Sequence, residues 1–184
     1  MNIGRHVLAT TVAGLTVAAS LAGAQPVKTP VEGVTNFTQV DVTMACAGAT
    51  TPSAVAGLKA MGFKTVVNLR MASEEGADLE AERAAAAAAG LRYVHLPFNT
   101  PASPADDVEP TVREFLRVTS DAANQPIFVH CAGGGRAAAM WMIKRVVVDG
   151  WDGPRAWTEA LQSYDEPTSP ALNWAKAYAA ARRK

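Results

Sequence analysis

The chain of 184 residues is short of net charge, of cysteine and of histidine. Each shortage removes a class of function. Seventeen basic side chains face seventeen acidic ones. A surface so balanced has no field of one sign to gather nucleic acid or an anionic membrane. Neither is expected as a partner, and a charged substrate must be attracted by local groups. Two cysteines are too few for a disulfide framework. Of the three histidines, one lies in the first 24 residues, which leaves His95 and His130. Without further ligands near them they make no zinc site, and no metal or other cofactor is expected. No internal repeat and no low-complexity tract stands out.

Long apolar runs are also scarce. Val7 to Leu21 is apolar, rich in small residues and too short to span a bilayer. Arg5 and His6 precede it, and Ala22-Gly23-Ala24 follows as a small-x-small cleavage site before Gln25. Residues 1–24 therefore read as a secretory signal peptide, and an exported protein, periplasmic or secreted, is expected. No second apolar run follows, so no stable membrane anchor is expected after cleavage. Removing residues 1–24, with Arg5 their only charged side chain, leaves 160 residues and 16 basic against 17 acidic groups. That length suits one domain around one sizeable core.

What is present is concentrated in residues 126 to 140, Pro-Ile-Phe-Val-His-Cys-Ala-Gly-Gly-Gly-Arg-Ala-Ala-Ala-Met. An apolar strand runs into His130-Cys131. Gly133, Gly134 and Gly135 follow Ala132, then Arg136 and an alanine-rich helix start. Such a loop lets backbone N–H groups turn around one centre. The helix behind it adds unpaired N–H groups and the positive end of its dipole. An oxyanion fits this arrangement, and Arg136 supplies a planar, bidentate clamp. The same field favours Cys131 as a thiolate near neutral pH. A thiolate under an anion pocket is built to attack phosphorus or sulfur.

The stretch resembles the His-Cys-x-x-Gly-x-x-Arg-Ser/Thr signature of the cysteine-dependent protein phosphatases, the dual-specificity and tyrosine phosphatase superfamily. It departs from it twice. Four residues, Ala132 to Gly135, separate Cys131 from Arg136 where the phosphatases have five, and Ala137 replaces the hydroxyl residue. The Cys-x4-Arg count resembles rhodaneses, which hold a persulfide. The nearest resemblance is to bacterial phosphatase-like domains found alone or fused to β-lactamase-like hydrolases. Ala47 to Arg70 resembles that group too: a Gly/Pro turn, a short helix, Gly62-Phe63-Lys64 and a strand Val66-Val67-Asn68-Leu69-Arg70 come in the same order.

In chain order, residues 25–39 read as an irregular lead-in, with a single phosphatase-like catalytic domain over 40–184. Val40 to Ala45 alternates as an edge strand. Thr51 or Ser53 caps a helix that Gly62 ends. Residues 64–69 form a buried strand. Arg70 at its carboxyl end is either a second anion contact or a surface arginine. Ser73 to Ala89 reads as a helix with Glu80, Glu82 and Arg83 on a solvated face. Residues 92–96 form the next strand, and His95 is more simply structural than functional. Val112, Phe115, Leu116 and Thr119 mark an apolar stripe on a further helix. Residues 137–148 form a buried helix, and two more follow over 154–163 and 169–181.

Fold class follows from this alternation: α/β, with a mainly parallel central sheet of four to five strands covered by helices on both faces. The resemblance implies the compact phosphatase-like version of it. It also implies a general-acid aspartate in the proline-rich loop 98–107. Asn99 stands at the family's usual distance from the cysteine; it cannot act as an acid and is expected as a substrate-binding residue instead. Asp106 and Asp107 either take that role or cap the next helix. Cys46 is either a small buried residue or a resolving partner for Cys131.

Three functions remain open. A phosphatase would hydrolyse a phosphorylated protein or small phosphoester through Cys131, with residues 132–135 and Arg136 holding the phosphoryl group and His130 supporting it. A sulfurtransferase would carry a persulfide on Cys131. A non-catalytic module would bind anions or phospho-groups.

Overall fold

In the computed structural model, residues 25–102 and 106–183 are described. The expected signal peptide therefore lies outside the described residues. Among them no helix is long and apolar enough to cross a membrane.

Six strands form one sheet: β1 Val27–Lys28, β2 Thr38–Asp41, β3 Met44–Ala47, β4 Thr65–Asn68, β5 Arg92–His95 and β6 Ile127–His130. Their order is β1-β2-β3-β6-β4-β5. β3, β6, β4 and β5 run parallel; β2 pairs antiparallel with β3, and β1 antiparallel with β2. Central β3, β4 and β6 are buried at every position, as strands covered on both faces must be. Met44 pairs with Ile127 and Thr65 with the same Ile127, so Ala47, His130 and Asn68 end level at one rim.

One face is packed by α1 Val55–Ala60 and α2 Leu79–Ala88, which with Phe37, Phe63 and Phe128 close a smaller core. The other carries α3 Glu109–Ser120, α4 Gly135–Val147, α5 Gly153–Ser163 and α6 Pro170–Ala180 around the larger one. α4 is buried over nearly its whole length, because α5 and α6 cover the sides that the sheet leaves open.

The sheet is larger than the sequence pattern implies. The expected edge strand at 40–45 is a hairpin: Asp41 ends β2, and its carboxylate accepts from the Thr43 N–H and hydroxyl, both at 2.7 Å. An aspartate closing a turn on its own backbone is ordinary turn chemistry, masked here by the apolar alternation running through it. β3 thus lies inside the sheet, and the expected lead-in supplies β1 and the start of β2. The expected helix at 73–89 begins only at Leu79, where Asp78 caps it by accepting from the Ala81 N–H at 3.0 Å. Residues 71–78 instead make a tight turn that reaches the site.

Candidate active site

Cys131 follows β6 directly. Its N–H donates to the Ala47 carbonyl at 3.2 Å, extending the ladder one residue beyond the strand. The side chain is 1% exposed. Gly134 then takes φ = 110°, a left-handed conformation that side chains rarely adopt. This bends the chain back so that the Gly134 N–H donates to Cys131 Sγ at 3.1 Å. α4 starts at the next residue with no side-chain cap, so no capping side chain occupies its first N–H groups. The loop is braced from outside: the Ala49 N–H donates to the Ala132 carbonyl at 2.7 Å, and Asn36 Nδ2 to the Gly133 carbonyl at 2.9 Å. The loop therefore closes over Cys131, with one backbone donor, the Gly134 N–H, on the sulfur.

Arg136, on the first turn of α4, is half-buried. Glu74 accepts from it through both carboxylate oxygens, at 2.6 and 2.7 Å, and the Phe98 carbonyl accepts at 2.8 Å. These bonds leave Nε and one Nη2 proton uncommitted, and Arg136 lines the same cleft as Cys131. Burial opposes its charge, but the Glu74 carboxylate and the Cys131 sulfur beside it hold the pKa above the ordinary arginine value. Burial raises the Glu74 carboxyl as well; bonds from Arg136 and the Met71 N–H win and bring it down to about 2. The pair is ionised at any working pH. Sequence reasoning saw Glu74 only as a residue of a helix start. Its one local signal is the Met71 N–H···Oε1 bond of 2.8 Å, which forms only once the turn exists.

Arg70 is not brought to the cleft. It is 5% exposed and neither an anion contact nor a surface arginine. Its guanidinium donates to the carbonyls of Glu75 and Gly76, the latter at 2.9 Å, and its Nε lies 3.5 Å from Glu74. It shapes the turn that presents Glu74. His95 is structural, its Nε2 2.8 Å from the Arg70 carbonyl.

His130 points away from the cleft, into the smaller core. Its Nε2 lies 2.6 Å from Glu82 Oε1, and Glu82 Oε2 accepts from Asn68 Nδ2 at 2.7 Å. Asn68 also donates to the Tyr93 hydroxyl at 3.1 Å. Burial, then the Glu82 charge, pushes Tyr93 up to about 12. The expectation of a solvated Glu82 is thus overturned: it is 3% exposed. Helical spacing places Glu82 and Ala86 on one face, and an alanine-rich helix can approach the sheet closely enough to carry a carboxylate beneath it.

The cleft above the loop has a volume of about 780 Å³. Asn99 to Ala102 and Asp106 form one wall; Tyr164, Ser169, Pro170 and Ala171 form the other. Asp106 is exposed and its Oδ2 accepts from the Ala102 N–H at 2.8 Å, inside the loop. Asp107 does not line the cleft; its Oδ1 accepts from the Glu109 N–H at 3.1 Å at the start of α3. Asp106 therefore lies at the cleft and Asp107 beside the start of α3, whose N-cap is Val108 without a side-chain cap. Tyr164 and Ser169 carry no sequence signal, since they come from the ends of α5 and α6. Cys46 is buried in β3, opposite Val129. Burial first, then the Glu159 charge, pushes its thiol well above its ordinary value. Both cysteines are free. Among the described residues no group of His, Cys, Asp and Glu could hold a metal ion.

Comparison with known proteins gives a family and a fold. Residues 18–169 match the model of a family described as DSP-PTPase phosphatase fused to NAD+ kinase. The "Beta-lactamase hydrolase-like protein" of Agrobacterium fabrum is 34% identical over 88 residues, 47% of this chain. The match spans 19% of that protein's length. A DUF442 protein from Shewanella putrefaciens CN-32 superposes with a TM-score of 0.68 at 20% identity, over 83% of this chain and 94% of the other. TpbA of P. aeruginosa superposes at 0.63 with 26% identity, over 88% and 91%. A second TpbA structure, solved in complex with pTyr, gives 0.58 at 21% identity over 88% and 99%.

Proposed function

From the premise that this chain belongs to the family of DSP-PTPase phosphatases fused to NAD+ kinase, we propose that it is a cysteine-dependent phosphatase, a phosphoric monoester hydrolase working through a Cys131 phosphoenzyme. The carrying observation is the Gly134 N–H on the Cys131 sulfur with the Arg136 guanidinium beside it in the same cleft, fixed by Glu74.

In the first step the Cys131 thiolate attacks phosphorus. An S–P bond forms as the P–O bond to the leaving group breaks. Charge growing on the three equatorial oxygens meets the loop N–H groups and the free edge of Arg136, donors already in place before reaction. Asp106, on the facing wall, gives its proton to the departing oxygen. In the second step Asp106, now a carboxylate, takes a proton from water as that water attacks phosphorus. The S–P bond breaks, inorganic phosphate leaves, and the thiolate returns. His130 and Glu82 act from below, fixing the end of β6 from which the nucleophile hangs.

The substrate is a phosphomonoester on a protein tyrosine or a small molecule. The TpbA complex with pTyr supports an aryl ester. Export through residues 1–24 is part of the same proposal, supported by the Arg5–Ala24 pattern. A rapid-quench reaction with an aryl phosphate, read by intact-protein mass, should find phosphate on Cys131. Turnover without an adduct, retained in Cys131→Ser, would refute the mechanism. Thiosulfate with cyanide is the control: thiocyanate formation at a comparable rate would make the chain a sulfurtransferase.

A further inference from the structure

α6 starts in the wall of the cleft. Ser169 precedes it, Pro170 and Ala171 open its first turn, and all three line the cavity shared with Cys131. α6 has eleven residues, so its dipole presents a developed positive end there. Pro170 has no N–H, which leaves the Ala171 N–H as the first donor without an intrahelical acceptor.

A serine at this position ordinarily closes such donors with its own oxygen. Ser169 does not: its side chain makes no cap hydrogen bond. It is 6% exposed, and among the described residues no partner is bonded to its hydroxyl. A buried hydroxyl without a partner is costly in an apolar setting; here it faces the cavity. Tyr164 stands beside it. A Cβ on Gly135 would fall 2.9 Å from Tyr164 Cε1 and 3.3 Å from Ser169 Oγ. The absence of that Cβ lets both side chains rest against the first residue of α4. The Tyr164 hydroxyl also has no bonded partner among the described residues. The Tyr164 hydroxyl borders the loop, 3.5 Å from where a Cβ on Gly133 would stand, while Ser169 and the helix N-terminus line the adjoining part of the cleft. Of the two acids between Tyr164 and Ser169, Asp165 is exposed and Glu166 accepts from the Thr168 hydroxyl and N–H on the exposed side. Asp106 is on the facing wall.

We propose that this wall is a subsite for a second oxyanion of the substrate, so that the enzyme prefers phosphomonoesters bearing a further carboxylate or phosphate over neutral ones. The proposal rests on the phosphatase reading in one respect: the same molecule reaches both Cys131 and Ser169. Donors and a helix dipole without a matching cation suit an anion held by hydrogen bonds.

The test compares 3- and 4-carboxyphenyl phosphate with the corresponding carbamoyl esters, which differ in charge and little in shape. For at least one isomer, kcat/KM should favour the carboxylate by about tenfold, the usual order for a hydrogen bond to a charged group. Ser169→Asp keeps a good capping residue but adds a like charge, and should bring the ratio to one or below. Ser169→Ala should give an intermediate ratio. The same esters titrated calorimetrically into Cys131→Ser report binding without turnover. Equal kcat/KM and equal affinity for both members of each pair overturn the subsite while leaving the phosphatase intact. So does a preference that survives Ser169→Asp. Preferential binding of the carboxylates with no hydrolysis by the wild-type protein keeps the subsite and overturns the phosphatase reading.

Discussion

The Glu74 carboxylate and the Arg136 guanidinium meet edge to edge, through two parallel hydrogen bonds of 2.6 and 2.7 Å across 62 residues of sequence. The pair leaves one edge of the guanidinium for substrate and removes its freedom to swing. Glu74→Gln keeps the shape but replaces a doubly accepting group with one that accepts at one oxygen only. It should lower kcat/KM on an aryl phosphate by about 10²-fold, the order that a small misplacement costs. Unchanged kinetics would show that Arg136 is positioned by the loop alone.

The same carboxyl predicts an acid limit. Glu74 is held down to about 2, against an ordinary value of 4.5. Between these values the unfolded chain binds the proton and the folded one does not. The pair's contribution is therefore complete above about pH 4.5 and lost as pH falls towards 2. Melting temperatures of wild type and Glu74→Gln should converge as pH is lowered through that window. A gap of constant size from pH 7 to pH 3 would remove Glu74 from the acid response.

Asp106 and Asp107 should separate cleanly. Asp106→Asn should slow alkyl phosphates by about 10²–10⁴-fold, the usual contribution of a general acid, and aryl phosphates much less. Asp107→Asn should affect the two substrate types equally and slightly, through the start of α3. A leaving-group effect in Asp107→Asn instead would exchange the assignments.

Cys46 should not protect Cys131. Cys46 is in register with Val129, so Cys131 lies two residues along the neighbouring strand. Strands about 4.8 Å apart, with a rise of about 3.3 Å per residue, put such Cα atoms about 8 Å from each other, beyond the roughly 7 Å that a disulfide spans. Mild peroxide followed by non-reducing peptide mapping should find no Cys46–Cys131 cross-link. Cys46→Ser should be inactivated at the wild-type rate.

Arg145 predicts the largest stability effect. It is buried between the Trp141 and Trp151 rings, 4.6 and 4.3 Å from their centroids. Glu159 accepts from it twice at 2.8 Å and Asp41 once at 2.6 Å. It thus ties α4, α5 and the β2–β3 turn at one point. Arg145→Ala leaves those carboxylates unpaired and should cost about 3–5 kcal/mol in chemical denaturation. A loss below about 1 kcal/mol would mean that the carboxylates find water instead.

The sequence carried the strand, loop and helix around Cys131 because their logic is local. Strand, cysteine, glycines, arginine and helix are contiguous, and each residue type restricts the backbone by itself. It also carried the alternation of strands and helices. The parts it did not carry are contacts between distant segments. Glu74 and Glu82 are two acids in an alanine- and glutamate-rich stretch that looks solvated throughout. One reaches Arg136 from a turn and the other reaches His130 from beneath the sheet. The hairpin at 41–44 was hidden for a different reason: the alternation of Val40, Val42 and Met44 runs through it and the turn uses no glycine. Tyr164 and Ser169 reach the cleft only because α5 and α6 pack on α4, a relationship with no local trace.

Side chains alternate along β6, and that divides the molecule's two cores at the nucleophile. Ile127, Val129 and Cys131 belong to the larger core, Phe128 to the smaller one, and His130 is held there by Glu82. Loosening either layer must shift the same backbone, one residue from the sulfur. The alkylation rate of Cys131 therefore serves as a gauge of both layers at once. A substitution deep under α2, such as Ala86→Gly, should register there as readily as one under α6, without any change to the walls of the cleft.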